Sequence, residues 1–99
     1  MAIPEPQLLR LRSLAAAHRV LRLELFGSAA RGAAAPRDYD FLVTFAPMSP
    51  LEHGRTYFEL AEALEAELAA PVDLLEDESI VNPYLRRAIA GDRVLIYDR

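Results

Sequence analysis

Ninety-nine residues, 53% of them hydrophobic, suffice for one core but leave little stability to spare, because a chain this short buries a modest share of its surface. A net charge of −4 offers a phosphate backbone no general attraction, so direct nucleic-acid binding is not expected. Cysteine is absent, which removes disulfides and thiolate metal sites; no run is long enough to cross a bilayer or laid out as a leader, so a cytoplasmic protein with no membrane contact is expected.

Gln7 to His18 sets Leu8, Leu11, Leu14 and Ala15 at helical spacing behind two prolines and predicts a first helix. Val20 to Phe26 alternates, with Leu21, Leu23 and Leu25 on one face and Arg22 and Glu24 on the other, which predicts a strand. Gly27-Ser28 breaks it; Ser28 to Arg31 is expected as a short helix capped by Ser28 and closed at Gly32, with 33–36 as a loop. Asp38 to Phe45 reads as a second strand whose Tyr39, Phe41, Val43 and Phe45 face the core. After Pro47 and Pro50, Leu51 to Ala69 forms the longest helix, with a Tyr57, Leu60, Ala61, Leu64, Leu68 stripe and glutamates outside. Val72 to Leu75 is a short third strand, Ser79 to Ala90 a further helix and Arg93 to Tyr97 a last strand.

The order α-β-β-α-β-α-β, with no repeat or linker, predicts one domain over 1–99 of class α/β (α+β), a mixed sheet of about four strands with helices covering one face. The arginines come in ones and twos and read as solvated faces. His18 and His53 read as surface or capping residues, and Tyr57, Phe58, Tyr84 and Tyr97 as core or half-buried, with a partner interface as the alternative for Tyr84.

The chemistry gathers in two motifs. Gly27 at a strand end lets a ligand approach the backbone, and Ser28 adds a hydroxyl and an N–H, although an isolated Gly-Ser more often makes only a turn. Asp38 and Asp40, two apart on a strand, point the same way and repel each other unless a cation or donor intervenes. Magnesium takes hard oxygen ligands from one or two carboxylates and substrate phosphates. The competing reading leaves Asp38 in the preceding loop and Asp40 as an exposed strand-end charge. Successive strands ending in Gly-Ser and beginning with Asp-x-Asp would pair and bring both motifs to one sheet end. Asp73, in an otherwise apolar strand, would join them if that strand lay alongside, either as a metal ligand or as the base for an attacking hydroxyl; otherwise it is an edge-strand charge in solvent.

Leu25-Phe26-Gly27-Ser28, nine residues and Asp38-Tyr39-Asp40-Phe41 resemble the signature of the DNA polymerase β-like nucleotidyltransferase superfamily. With Gly27 to Gly32, Pro71 to Leu75 and Asn82 to Arg86, the chain is similar, over nearly its whole length, to the minimal nucleotidyltransferases, the MntA-type antitoxins paired with HEPN-domain toxins. The resemblance implies the small nucleotidyltransferase fold, with Gly27, Ser28 and Arg31 at the nucleotide and Asp38, Asp40 and Asp73 as catalytic carboxylates and metal ligands. It implies ATP as substrate, Mg2+ as cofactor, a HEPN ribonuclease as partner in a hetero-oligomer, and transfer of AMP to a tyrosine of that partner. Arg31 is expected to brace its loop by pairing with a carboxylate, with phosphate contact as the alternative. Arg37 stands where the antitoxin pattern carries a serine, and the spacer is one residue shorter. Two other functions compete: an antitoxin that silences its partner by binding alone, and a small-molecule nucleotidyltransferase.

Overall fold

The computed structural model describes residues 3–32 and 36–99; of the loop expected over 33–36, residues 33–35 lie outside the described residues. Helix α1 (Glu5–Ala17) leads into strand β1 (Val20–Phe26), and the one-turn helix α2 (Gly27–Ala30) follows it directly. Then come β2 (Tyr39–Phe45), α3 (Pro50–Leu68), β3 (Val72–Glu76), a 3-10 turn (Asp77–Ser79), α4 (Pro83–Ala90) and β4 (Val94–Asp98). The four strands form a mixed sheet in the order β3-β2-β1-β4. β1 runs antiparallel to both β2 and β4, while β3 runs parallel to β2. A parallel pair needs a crossover, and α3 supplies it.

Strand alternation decides what each sheet face holds. Leu23 and Leu25 of β1 and Phe41, Val43 and Phe45 of β2 meet Leu8, Leu11 and Ala15 of α1 and Leu60, Leu64 and Leu68 of α3 in the main core. Each of the leucine, valine and phenylalanine side chains is worth roughly 1.5–3 kcal/mol of burial. Helices were expected on this face alone, but the opposite face carries a second, smaller cluster, in which Leu42 packs with Ile80, Ile89, Phe26 and Leu75. Leu42 is flanked by core residues on both sides in sequence, so it must point away from them, and α4 covers it.

The last helix starts later than Ser79. Pro83 holds Asn82 in extended backbone and takes the first helical position, where its missing N–H costs nothing. The Asn82 side chain then accepts from the Tyr84 N–H at 2.9 Å. In α3 the Ser49 hydroxyl accepts from the Glu52 N–H in the same way. Glu24, placed with Arg22 on the face opposite the leucines, is 6% exposed. Arg22 approaches one of its carboxylate oxygens at 3.2 Å and Arg93 the other at 3.6 Å, so the charge is buried with partners. Phe58 and Tyr84, expected at least half-buried, are 67% and 76% exposed. Among the described residues no helix is long and apolar enough to cross a membrane.

Candidate active site

Two strand pairings assemble the site. In the antiparallel β1–β2 ladder Phe26 stands opposite Asp40, so the turn at Gly27-Ser28 begins where the Asp-x-Asp motif lies. In the parallel β2–β3 ladder Asp40 stands opposite Asp73, and directly opposite residues share a face. The three motifs therefore meet at one end of the sheet. They lie on the same face as the Leu42 cluster, because Asp40 is two residues before Leu42 and Asp73 two before Leu75.

Gly27 adopts φ +76°, a left-handed conformation that lets the chain turn out of β1 at once. The short helix thus begins at Gly27, one residue earlier than expected, and Ser28 lies inside its first turn instead of capping it. The first-turn amides of such a helix have no intrahelical acceptor. Gly32, at φ +88°, closes the turn as expected. A Cβ on Gly27 would stand 2.5 Å from Asp40 Oδ2, so the glycine admits the carboxylate against the backbone.

Asp38 lies in a bend just before β2, which starts at Tyr39. The ladder starts there because the Tyr39 N–H donates to the Pro71 carbonyl at 3.1 Å, leaving Asp38 outside the paired strand. Asp38 and Asp73 are exposed, Asp40 half-buried. Burial, then the charges of Asp38 and Asp73, then hydrogen bonding with Asp73 push the Asp40 carboxyl above the usual carboxylate range. Tyr57, half-buried on α3, donates its hydroxyl to the Leu74 carbonyl beside Asp73. Burial first, then the charges of Glu76 and Asp73, raise its phenol as well. Among the described residues no three His, Asp or Glu side chains already converge as a metal cage; the site is a close Asp40–Asp73 pair with Asp38 alongside.

Arg31 pairs with Asp92 at 2.9 Å, tying the α2 turn to the residues after α4. Nothing in the sequence marked Asp92 as that partner, because 61 residues separate the two. His18 closes α1, its Nδ1 2.7 Å from the Leu14 carbonyl oxygen. His53 is not a plain surface residue: it pairs with Glu76 of β3 and meets the Phe45 ring edge-on. These two line a cavity of about 620 Å³ with Thr44 and Met48. It sits where β2 and β3 end, at the opposite end of the sheet from the carboxylates, so this recess is not where the chemistry gathers.

The nucleotidyltransferase domain family matches residues 8–96. A protein of Methanocaldococcus jannaschii named "Putative protein adenylyltransferase MJ1379" is 36% identical over 80 residues, which cover 80% of this chain and 79% of the relative. A solved structure described as a "putative minimal nucleotidyltransferase" superposes with a TM-score of 0.67 at 33% identity, covering 90% of this chain and 88% of its own. A complex of the tri-AMPylated Shewanella oneidensis HEPN toxin with its MNT antitoxin shares the fold: TM-score 0.67, 19% identity, 96% of this chain and 72% of the other. The matched span contains the Gly27 turn, Asp38, Asp40 and Asp73, and the chain belongs to the nucleotidyltransferase domain family.

Proposed function

We propose that the chain is a magnesium-dependent nucleotidyltransferase acting as an antitoxin, which moves AMP from ATP onto a tyrosine of a partner HEPN-domain ribonuclease toxin. The observation that carries this reading is the seating of the Asp40 carboxylate of β2 between Gly27, at the turn after β1, and Asp73 of β3 in a nucleotidyltransferase domain. The name of the M. jannaschii relative and the AMP-bearing toxin of the S. oneidensis complex support a protein as acceptor.

The donor set fits a divalent cation. Asp40 is held above its ordinary range partly by its acidic neighbours, a repulsion that a hard cation offsets, and magnesium is commonly held by one or two carboxylates with substrate phosphates completing its shell. Asp40 and Asp73, with Asp38 beside them, would hold it. Bound there it would supply charge stabilisation for the reacting phosphates.

The chain's own residues do the rest. Gly27 leaves room for a polyphosphate to approach the backbone, and Ser28 offers its amide and hydroxyl. Arg31 fixes the turn through Asp92. Asp73, exposed at the edge of the pair, takes the proton of the attacking tyrosine hydroxyl. The hydroxyl oxygen bonds to the α-phosphorus, the α–β anhydride bond breaks and pyrophosphate leaves. Such transfers depend chiefly on positioning and charge stabilisation, which a small scaffold can provide.

Intact-mass spectrometry of a HEPN-domain toxin incubated with this chain, ATP and magnesium tests the reading. A gain of one or more adenylyl groups, lost with Asp40→Asn, is expected. Stable binding with no gain in mass would favour silencing by binding alone and sink it.

A further inference from the structure

Helix α4 is held to the sheet by little. Ile89 within it and Ile80 just before it are its buried apolar anchors, and the side chains from Val81 to Ala88 are exposed. Three of these are large and apolar: Val81 at 88%, Tyr84 at 76% and Leu85 at 42% exposure. The Asn82 cap and the clamp of Arg86 on Asp77 and the Ile80 carbonyl fix the start of the helix rigidly, so these side chains are presented, not left on a loose end. Arg87 lies over the Tyr84 ring, 5.8 Å from its centroid, and has no ion pair among the described residues. The helix interior carries two arginines and no acid, in a chain whose net charge is −4.

Position gives this ridge its meaning. The anchors of α4 pack on Leu42 and Leu75, and Asp40 and Asp73 lie two residues before these on the same sheet face. The far end of the helix is joined to the candidate nucleotide turn through Arg31 and Asp92. An eight-residue helix is about 12 Å long, whereas a standard protein interface buries about 800 Å² on each side, so a protein seated on the ridge would also overlie the carboxylates. α1 and α3 occupy the opposite face.

We propose that Val81, Tyr84, Leu85 and Arg87 form the surface on which the acceptor protein docks for adenylyl transfer. The proposal rests on the function proposed above. The occupant is a folded protein presenting an apolar centre rimmed by carboxylates: Tyr84 and Leu85 supply the apolar contact and Arg87 the charge, a residue combination that carries much of the energy in protein interfaces. A nucleotide has no use for an apolar ridge on this scale.

The test measures capture of the HEPN-domain acceptor without nucleotide, AMP transfer to it, and binding of an ATP analogue to the full chain. Tyr84→Asp should weaken capture at least tenfold and raise the KM for acceptor by a similar factor. Its kcat at saturating acceptor, its analogue binding and its melting temperature should stay near wild type, since the side chain is exposed. Leu51→Asp, at an exposed apolar position on α3, should change none of these. Wild-type capture by Tyr84→Asp, an equal loss with Leu51→Asp, failure of the wild type to capture the acceptor, or self-association of the wild type through Tyr84 would each overturn the proposal. Capture lost in Tyr84→Asp while even the wild type transfers no AMP would uphold the docking surface and remove only the adenylyl-transfer reading.

Discussion

The Cβ that Gly27 lacks would stand 2.5 Å from Oδ2 of Asp40. The first residue of the turn and the first strand carboxylate are thus in contact, and each limits what the other can be. Gly27→Ala meets two obstacles. Its φ of +76° costs an L-residue about 1–2 kcal/mol, and the new methyl displaces the Asp40 carboxylate, a side-chain end able to swing away. The expected result is a folded protein whose melting temperature falls by several degrees and whose AMP transfer falls by at least 100-fold. Thermal unfolding measured beside transfer checks this; a variant that transfers at the wild-type rate would show that Asp40 need not stay against the turn.

Asp40 lies opposite Asp73, and like charges directly opposite in a sheet cost roughly 0.2–1 kcal/mol. The Asp40 carboxyl is raised in the fold by burial, Asp38 and Asp73, so the unfolded chain loses this proton at lower pH than the folded one. Stability from this group is therefore fullest below the ordinary aspartate pKa. It declines as pH rises toward the raised folded value and stays reduced above it. Asp40→Asn should abolish transfer while making the chain without metal more stable at pH 7, by up to about 1 kcal/mol or some 4–8 °C. Magnesium should raise the wild-type melting temperature, because it binds only the fold, and leave that of Asp40→Asn almost unmoved. A variant less stable than wild type without metal would mean that Asp40 is no burden to the fold.

The elements were legible where one physical signal dominated. β1 has the expected bounds, although a bulge between Val20 and Arg22 leaves Val20, instead of Leu21, in the core with Leu23 and Leu25; α3 carries Leu60, Leu64 and Leu68 on one buried stripe behind a Ser-Pro start. The meeting of Gly27, Asp40 and Asp73 was legible too, since neighbouring strands place their ends together. Glu24 escaped because its burial depends on a residue distant in sequence, and the start of α4 because a local signal overrides the helical spacing. Glu24 shares its face of the strand with Arg22, and Arg93, brought alongside by β4, pairs with its second carboxylate oxygen. The helical spacing after Ser79 continues smoothly into α4, but the cap at Asn82 and the ring of Pro83 override it. His53 looked isolated because its partner Glu76 is 23 residues away.

Arg31 separates two roles that its guanidinium could fill. Its pair with Asp92 is largely exposed, at 58% and 34%, so breaking it should cost at most about 1 kcal/mol. If the arginine acts by bracing the turn, Asp92→Ala should lower transfer by about the same factor as Arg31→Ala, and the double variant should fall no further. Steady-state kinetics in ATP reads the difference: a rise in the KM for ATP with Arg31→Ala alone would place the guanidinium on phosphate.

Glu24 is the one buried charged side chain among the described residues, and it occupies a place where an apolar residue would fit. Its neighbour across the ladder is Leu42 on one side and Leu95 on the other. Arg22 and Arg93 remain 46% and 35% exposed in their side chains, so both can be solvated once the carboxylate is gone. Glu24→Ala loses these interactions and opens a gap beside Leu42, which should cost about 1–3 kcal/mol. Glu24→Met fills the gap and strands no buried charge, so it should fall within about 1 kcal/mol of wild type, or above it, as apolar replacements of buried ion pairs often do. Urea unfolding of the two variants decides the matter. Equal losses would show that the Glu24 carboxylate and its ion pairs hold this site together; a loss confined to the alanine variant would show that volume does.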